Sequence, residues 1–493
     1  MADQQTNVPI SSGSGLGNLK YPLQILVGPV VFLIILAIPF NGLEQKAHYA
    51  LASFGWVIAW WVAQPIPWAI SGMLPLILFP AFGVMSFKPT AALYGQAVFF
   101  FLLGIMLFGH AFQKVGLGNR MAVSFLSIPG VATSGRRLVL VIMVITAIVS
   151  ALIDDAASIA IVMPIALSIV KYIGDSQGKT TAELGKFYTA TALGILYASM
   201  AGGMITPAGV PFNPLTISTL EELTKYSISF PQWVSVGIVI GVVMVAAFFL
   251  VVMLMYPPEI KAISMGTSYF AEEKRKLGSL STAEKNVLVV LIIMIVLWFI
   301  PAFVKISWLN IWIVPPIGMA LLFLLRAGEG KKEGILVAKD FQNGIMWNVL
   351  FLVLCGTAIA KGLAGVGLTE WVKGTIPSDL SPGLLPWMAG ILTGVVSHVT
   401  SGTATTAMMS SILFPVADSL NYNPAILARI IASTAFAVSF PWCGAGSGTA
   451  FSFGVIRFKD MFKTGVVITI VTVFLAIILS MIFVPLFGGY TGP

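Results

Sequence analysis

The chain has 493 residues, 58% hydrophobic and only 9% charged, where an ordinary soluble domain carries about a quarter charged positions, and this composition excludes a water-soluble fold. Its 48 glycines and 28 prolines are scattered through the apolar stretches and exclude a plain bundle of unbroken spans; its two cysteines, Cys355 and Cys443, exclude a disulfide framework, a CxxC metal site and a haem motif. The net charge of +8 comes from 27 basic against 19 acidic residues and reads as the loop bias of a membrane protein, not as a nucleic-acid surface.

In chain order, residues 1–22 form a polar tail whose only basic side chain is Lys20. The first apolar run, 23–40, has no small-residue cleavage pattern behind it and reads as a retained span, not a removed signal. Further apolar runs lie at 49–64, 65–85, 96–112, 138–170, 187–220, 233–256, 287–304, 311–325, 345–372, 384–420, 424–455 and 464–487. Treating 138–170 and 384–420 as re-entrant hairpins predicts an all-α polytopic membrane protein of about 11 transmembrane helices plus two hairpins. The N-terminus is then cytoplasmic and the C-terminus external to the cell membrane. Only Lys46, Lys88, Lys225, Lys305 and Lys373 fall on the external side, and Lys361 and Arg429 fall inside apolar runs. Every other lysine and arginine is cytoplasmic, the bias expected of inner loops. Counting each hairpin as two full spans leaves that bias unchanged.

The loop 257–285 carries both signs of charge, and Ser281 followed by Glu284 has the spacing of a capping box that starts a helix. It separates two stretches, 23–256 and 286–493, that repeat each other. In the first, Gly104 precedes Gly116-Leu117 and then the hairpin tip Asp154-Asp155-Ala156-Ala157-Ser158. In the second, Gly356 precedes Gly367-Leu368 and the tip Ser401-Gly402-Thr403. After each hairpin a long apolar run is broken in its middle, first between Gly202 and Pro214 around Thr206, Pro211 and Asn213, then between Pro441 and Gly448 around Gly444. Breaking a helix at membrane depth strips partners from backbone N–H and C=O groups, which is tolerated only where protein, water or a ligand replaces them. Half-helix N-termini suit anions and unwound carbonyls suit cations, so paired interruptions in corresponding places point to the midplane site of a secondary transporter. Taken singly, each glycine or proline break also serves close helix packing.

These residues resemble the divalent anion:sodium symporters, which carry dicarboxylates, citrate or sulfate. The resemblance runs from Pro65-Ile66-Pro67 to the stretch between Gly454 and Gly465, and its hallmark is a Ser-Asn-Thr triplet at each hairpin tip. Ser401-Gly402-Thr403 is a near match, while Asp154-Asp155-Ala156 departs from it. Gly209-Val210-Pro211-Phe212-Asn213 resembles the family's pattern at the first break, and the second break lacks the Pro-Pro-Asn. The resemblance implies an inverted repeat, an elevator with scaffold and transport domains, and a homodimer.

The expected substrate-binding residues are Ser401, Gly402 and Thr403 with Asn213, Pro211, Thr206 and Gly444; the expected ion-coupling residues are Asp154, Asp155, Ser158 and His398. Two accounts of the aspartates stand side by side. Asp154 caps the second leg of the hairpin and Asp155 complements that helix's positive end, or the pair holds a coupling Na⁺ or H⁺, since adjacent carboxylates in a membrane demand compensation. His398 reads either as a compensating charge or as a neutral imidazole bonded inside the bundle; the resemblance ties a histidine there to exchange or proton coupling. His110 reads as structural, Lys361 and Arg429 as snorkelling or functional, and the tryptophans as interfacial belts. The function expected is secondary active transport of a small di- or tricarboxylate by cation symport or anion exchange, with a small anion and the bilayer as partners, no cofactor and no nucleic acid. The alternatives are a Na⁺/H⁺ antiporter that uses Asp154 and Asp155, or a sulfate permease. No Walker A, HExxH or GxSxG pattern supports an enzyme.

Overall fold

Where no water reaches the backbone, every N–H and C=O must pair within the chain, and a helix does this within one segment. The computed structural model of the chain describes residues 21–487 apart from 129–132, 225, 264–267, 329–331, 376–380 and 437–438. Among the described residues the chain is helical, with one isolated antiparallel bridge between Arg326 and Gly334 and no strand. Seven helices among them are long and apolar enough to cross a membrane: Phe87–Lys114, Gly135–Leu152, Asp155–Ser176, Phe230–Met255, Thr282–Ala302, Trp347–Ala364 and Phe458–Leu486. Other apolar runs are shorter than the sequence reading expects. The run 65–85 divides into Trp68–Ser71 and Pro75–Ala81, and 311–325 contains only the 11-residue helix Val314–Leu324. At 1.5 Å per residue that helix is about 16 Å long, roughly half a hydrocarbon core.

Local chemistry fixes the boundaries. Ser281 and Glu284 form the expected capping box at the start of Thr282–Phe299, and Ser229 with Gln232 does the same for Phe230–Met255. Glu284 also receives Arg120 at 2.6 Å, while that guanidinium donates to the carbonyls of Leu277 and Gly278. One arginine thus ties Leu117–Leu126 to the chain entering the next long helix.

Two series of elements follow one order. Helix Ala97–Lys114 ends ahead of Gly116, whose φ of 81° is left-handed, and Leu117–Leu126 leads to the legs Gly135–Leu152 and Asp155–Ser176. Helix Trp347–Ala364 ends ahead of Gly367, at φ 79°, and Leu368–Thr375 leads to the legs Leu385–Val396 and Gly402–Ser419. Both glycines occupy a conformation that a side chain disfavours, so the same turn is specified twice. Each series ends in a broken helix, Gly185–Gly203 with Phe212–Thr224 and Pro424–Thr434 with Ala445–Ser452, followed by a long helix.

The legs pack where side chains vanish. A Cβ on Gly202 would strike the backbone of Ala147, and one on Gly237 would strike that of Ile205, so the first hairpin leg, the first break and helix Phe230–Met255 meet at backbone distance. Packing of this closeness is a principal attraction between helices in lipid, where apolar burial supplies little. Gly202→Ala should therefore destabilise the protein by about 1–3 kcal/mol through overpacking. The readout is a lower thermal midpoint in detergent. Gly185→Ala in the same helix, where a Cβ meets nothing within 4 Å, should leave the midpoint unchanged.

Candidate functional site

The second hairpin turns at residues 397–401, and Ser401 caps the helix that follows, its Oγ accepting the Ala404 N–H at 3.1 Å. Gly402 passes so near the carbonyl oxygen of Ala435 that a side chain would not fit, which brings this tip onto the second break. Thr400 and Thr405 share a hydroxyl–hydroxyl bond of 2.6 Å beneath the tip. The hydroxyl of buried Thr403 makes no hydrogen bond among the described residues. The tip therefore offers the Thr403 hydroxyl and those first N–H groups of an 18-residue helix that Ser401 does not take, a combination that favours an anion.

The first tip has the opposite character. Asp154 is the cap residue of Asp155–Ser176, and the Ala156 N–H donates both to Asp154 Oδ1, at 3.0 Å, and to Asp155 Oδ1, at 2.9 Å. Ser158 is fully buried and turns its hydroxyl onto the Asp155 carbonyl at 2.8 Å. The other oxygen of Asp155, Oδ2, lies 2.6 Å from where a Gly446 Cβ would stand, so this tip also reaches the second broken helix. Carboxylates of the chain itself occupy the N-terminus of this helix.

A cavity of about 490 Å³ joins these parts. Of the expected residues, Asp154, Asp155, Pro211, Ser401, Gly402, Thr403 and Gly444 line it. The other four do not. Asn213 spends its amide N–H groups on the carbonyls of Gly203 and Thr206, both at 2.8 Å, and its buried Oδ1 has no partner among the described residues. Thr206 donates to the Ala151 carbonyl at 2.6 Å and accepts the Ala208 N–H, which pins the first break to the first hairpin. Ser158 is held within its own turn. His398 sets Nδ1 against the Gly394 carbonyl at 2.7 Å and Nε2 against Ser439 Oγ at 2.9 Å, away from the cavity.

Other charges find partners. Arg429 is buried, donates to the Met204 carbonyl at 2.5 Å and stacks 4.5 Å from the Trp233 ring centre, so it does not snorkel. Lys361 pairs with Glu222 at 2.9 Å. His110 and Lys114 both hold Asp340, at 3.0 and 2.7 Å. Partial burial pushes the Asp340 carboxyl up, but hydrogen bonds from Lys114, the Val337 N–H and His110 outweigh this and hold it below the ordinary value. His110 also lines a second cavity of about 260 Å³, which shares Asp154, Pro211 and Met346 with the larger one.

Much of the wall consists of apolar residues that no sequence motif marks. Leu196, Met200, Leu352, Phe436 and Trp442 all face the large cavity. Trp442 lies stacked on Phe440 with centroids 4.6 Å apart. Its place inside the second interrupted run was the available signal; for the leucines and methionines, which resemble any apolar helix face, there was none.

The chain is 27% identical over 485 residues to the sodium-dependent dicarboxylate transporter SdcS of Staphylococcus saprophyticus, covering 95% of this chain and 92% of that one. It is equally 27% identical over 495 residues to the protein of that name from Staphylococcus aureus strain USA300, covering 98% and 93%. Its fold is similar to that of the YdaH transporter of Alcanivorax borkumensis, with a TM-score of 0.52 at 11% identity over 83% of this chain and 89% of that one. The sodium:sulfate symporter transmembrane region matches residues 20–489, and with nearly the whole length so matched, the chain belongs to that family of multi-pass membrane transporters.

Proposed function

We propose that the chain is a secondary active transporter of small organic anions of the dicarboxylate class, driven by a sodium gradient. The observation that carries this reading is the single cavity walled by both hairpin tips and both helix breaks. Four interruptions of the backbone converge on one space, where a ligand replaces missing partners. The dicarboxylate relatives support the substrate class and their sodium dependence supports the ion. An organic anion suits the walls better than sulfate does, because Met200, Phe212 and Leu352 gain contact with carbon and none with a sulfate oxygen.

In this reading the two element series are the halves 23–256 and 286–493 of an inverted repeat, the hairpins 138–170 and 384–420 are re-entrant, and the charged loop 257–285 faces the cytoplasm with the tail 1–22. The hairpins and broken helices form a moving transport domain against a static scaffold in a homodimer. Ser401, Gly402 and Thr403 bind a carboxylate, Pro211 and Gly444 shape the walls, and Asp154 and Asp155 take the coupling ion. Asn213 and Thr206 hold the first break in shape, Ser158 closes the first turn of Asp155–Ser176, and His398 braces the second hairpin against Phe458–Leu486. The chemistry is binding and translocation, not catalysis.

The function is tested by labelled succinate uptake into vesicles containing the purified protein, with and without an inward Na⁺ gradient. Uptake indifferent to the gradient rejects sodium symport. Thr403→Val keeps the shape and removes one hydroxyl, and should weaken apparent substrate affinity by about 1–3 kcal/mol; wild-type affinity in this variant places the anion elsewhere.

The double change Asp154→Asn, Asp155→Asn preserves helix capping, since Asn and Asp rank together at that position. It should leave the fold intact and abolish the dependence of initial uptake rate on external Na⁺. A sodium dependence retained in the double variant assigns the aspartates to capping alone.

A further inference from the structure

Two cavities meet at Asp154, and the smaller, of about 260 Å³, has walls unlike those of the larger. It lies between helix Ala97–Lys114 and the first hairpin tip. Leu102, Ile105, Met106, Gly109, His110 and Gln113 form one helical face at spacings of three and four, and Ala156, Ala157 and Ala208 stand among the residues opposite. Small residues in lipid ordinarily let helices close to backbone distance. Here they leave a gap, since a Cβ on Gly109 would meet only Ile153, at 3.8 Å. Gln113 and Asn343 in its wall are exposed. From Gln113 the way inward is short: Gly109 lies one turn, about 6 Å, along the helix and already faces the residue preceding Asp154. A water needs about 15 Å³ of such space and two or more polar partners, so the cavity has room for several beside these side chains. Next to Gln113, the Lys114 ammonium is taken by Asp340 at 2.7 Å and by the Ile335 carbonyl at 3.0 Å, and Asp340 also holds His110. A cation arriving there meets a compensated lysine and then Asp154, the one acid in this cavity's wall. A dianion meets the same carboxylate, with His110 already engaged.

We propose that the smaller cavity is a hydrated cation passage from Gln113 and Asn343 to Asp154, through which the coupling ion enters and leaves while the larger cavity holds the anion. The proposal rests on the transport function above and adds to it a separate route for the ion. Asp154, Pro211 and Met346 stand in both walls and form the partition between the two spaces. Asp340 is a positioning residue: by pairing with Lys114 it keeps the mouth open to positive charge.

The test uses the full-length chain carrying Ala157→Cys in the smaller cavity and Ala445→Cys in the larger. At one fixed Na⁺ concentration it is treated with 2-aminoethyl methanethiosulfonate, a small cation, or with the anionic 2-sulfonatoethyl reagent. Peptide mass spectrometry follows each position, and each rate is divided by that of the same reagent with a free thiol. At position 157 the cation should react about tenfold faster than the anion, and saturating succinate should leave its rate unchanged. At position 445, in the same molecules, succinate should block reaction. Adding Asp340→Asn, which leaves Lys114 without its counter-charge, should slow the cation at position 157 and not the anion. Gly109→Cys, on the opposite wall, repeats the measurement if the tip variant does not fold. Protection of position 157 by succinate overturns the passage and leaves the transport reading standing; so do equal relative rates for the two reagents, no reaction with either, or a charge preference unmoved by Asp340→Asn. If succinate fails to protect position 445, the transport reading falls and the passage falls with it.

Discussion

A helix broken inside an apolar protein must find new partners for the backbone groups it releases, and the site depends on how this chain finds them. At the first break Asn213 answers two carbonyls, Gly203 and Thr206, with one amide. Arg429 answers a third, at Met204, from the opposite series of helices. The Thr206 hydroxyl reaches back to Ala151 in the first hairpin. An unpaired buried carbonyl costs about 1–3 kcal/mol, so these bonds allow an irregular segment to persist where lipid would otherwise demand a helix. Side chains that a sequence motif assigns to a ligand are here occupied with holding the polypeptide open.

The same economy of space brings the tips together. Gly402 and Gly446 each lie where a side chain would collide, one with the Ala435 carbonyl and the other with the Asp155 carboxylate. The second hairpin therefore approaches the second broken helix at backbone distance, and the first reaches it through the Asp155 carboxylate. The wider cavity lies between them, with Trp442, stacked on Phe440, in its wall. The small residues that pack the tips also stand in the cavity wall.

Electrostatics breaks the symmetry that the element order implies. Two hairpins of similar construction end in a hydroxyl-bearing tip and a carboxylate-bearing tip, and a helix N-terminus lies behind each. Both termini are capped by their own side chains, but Asp154 and Asp155 do so with carboxylates and Ser401 with a hydroxyl. The carboxylates of Asp154 and Asp155 stand in the cavity wall at one tip only, whereas the other tip presents hydroxyls. The ion pairs at Arg120–Glu284 and Lys114–Asp340 are peripheral to this and tie helix ends to loops.

The sequence by itself determined the membrane class, the all-helical build, the two breaks, the capping box at Ser281 and Glu284, and the chain positions of the two capped turns at Asp154 and Ser401, because apolar run length, proline, glycine and cap residues act over a few positions. It also located seven of the residues that line the large cavity. Whether a polar side chain faces that cavity was decided by the tertiary structure alone. Asn213, Thr206, Ser158 and His398 lie within a few residues of lining positions, yet each turns to a backbone or hydroxyl partner. Those partners come from carbonyls released by the breaks and from helices as distant in sequence as Phe458–Leu486, whose Thr469 stands 3.3 Å from His398. The apolar wall escaped the sequence for a related reason: a leucine facing a cavity and a leucine facing lipid obey the same helical period, and only the packing of separate helices tells them apart.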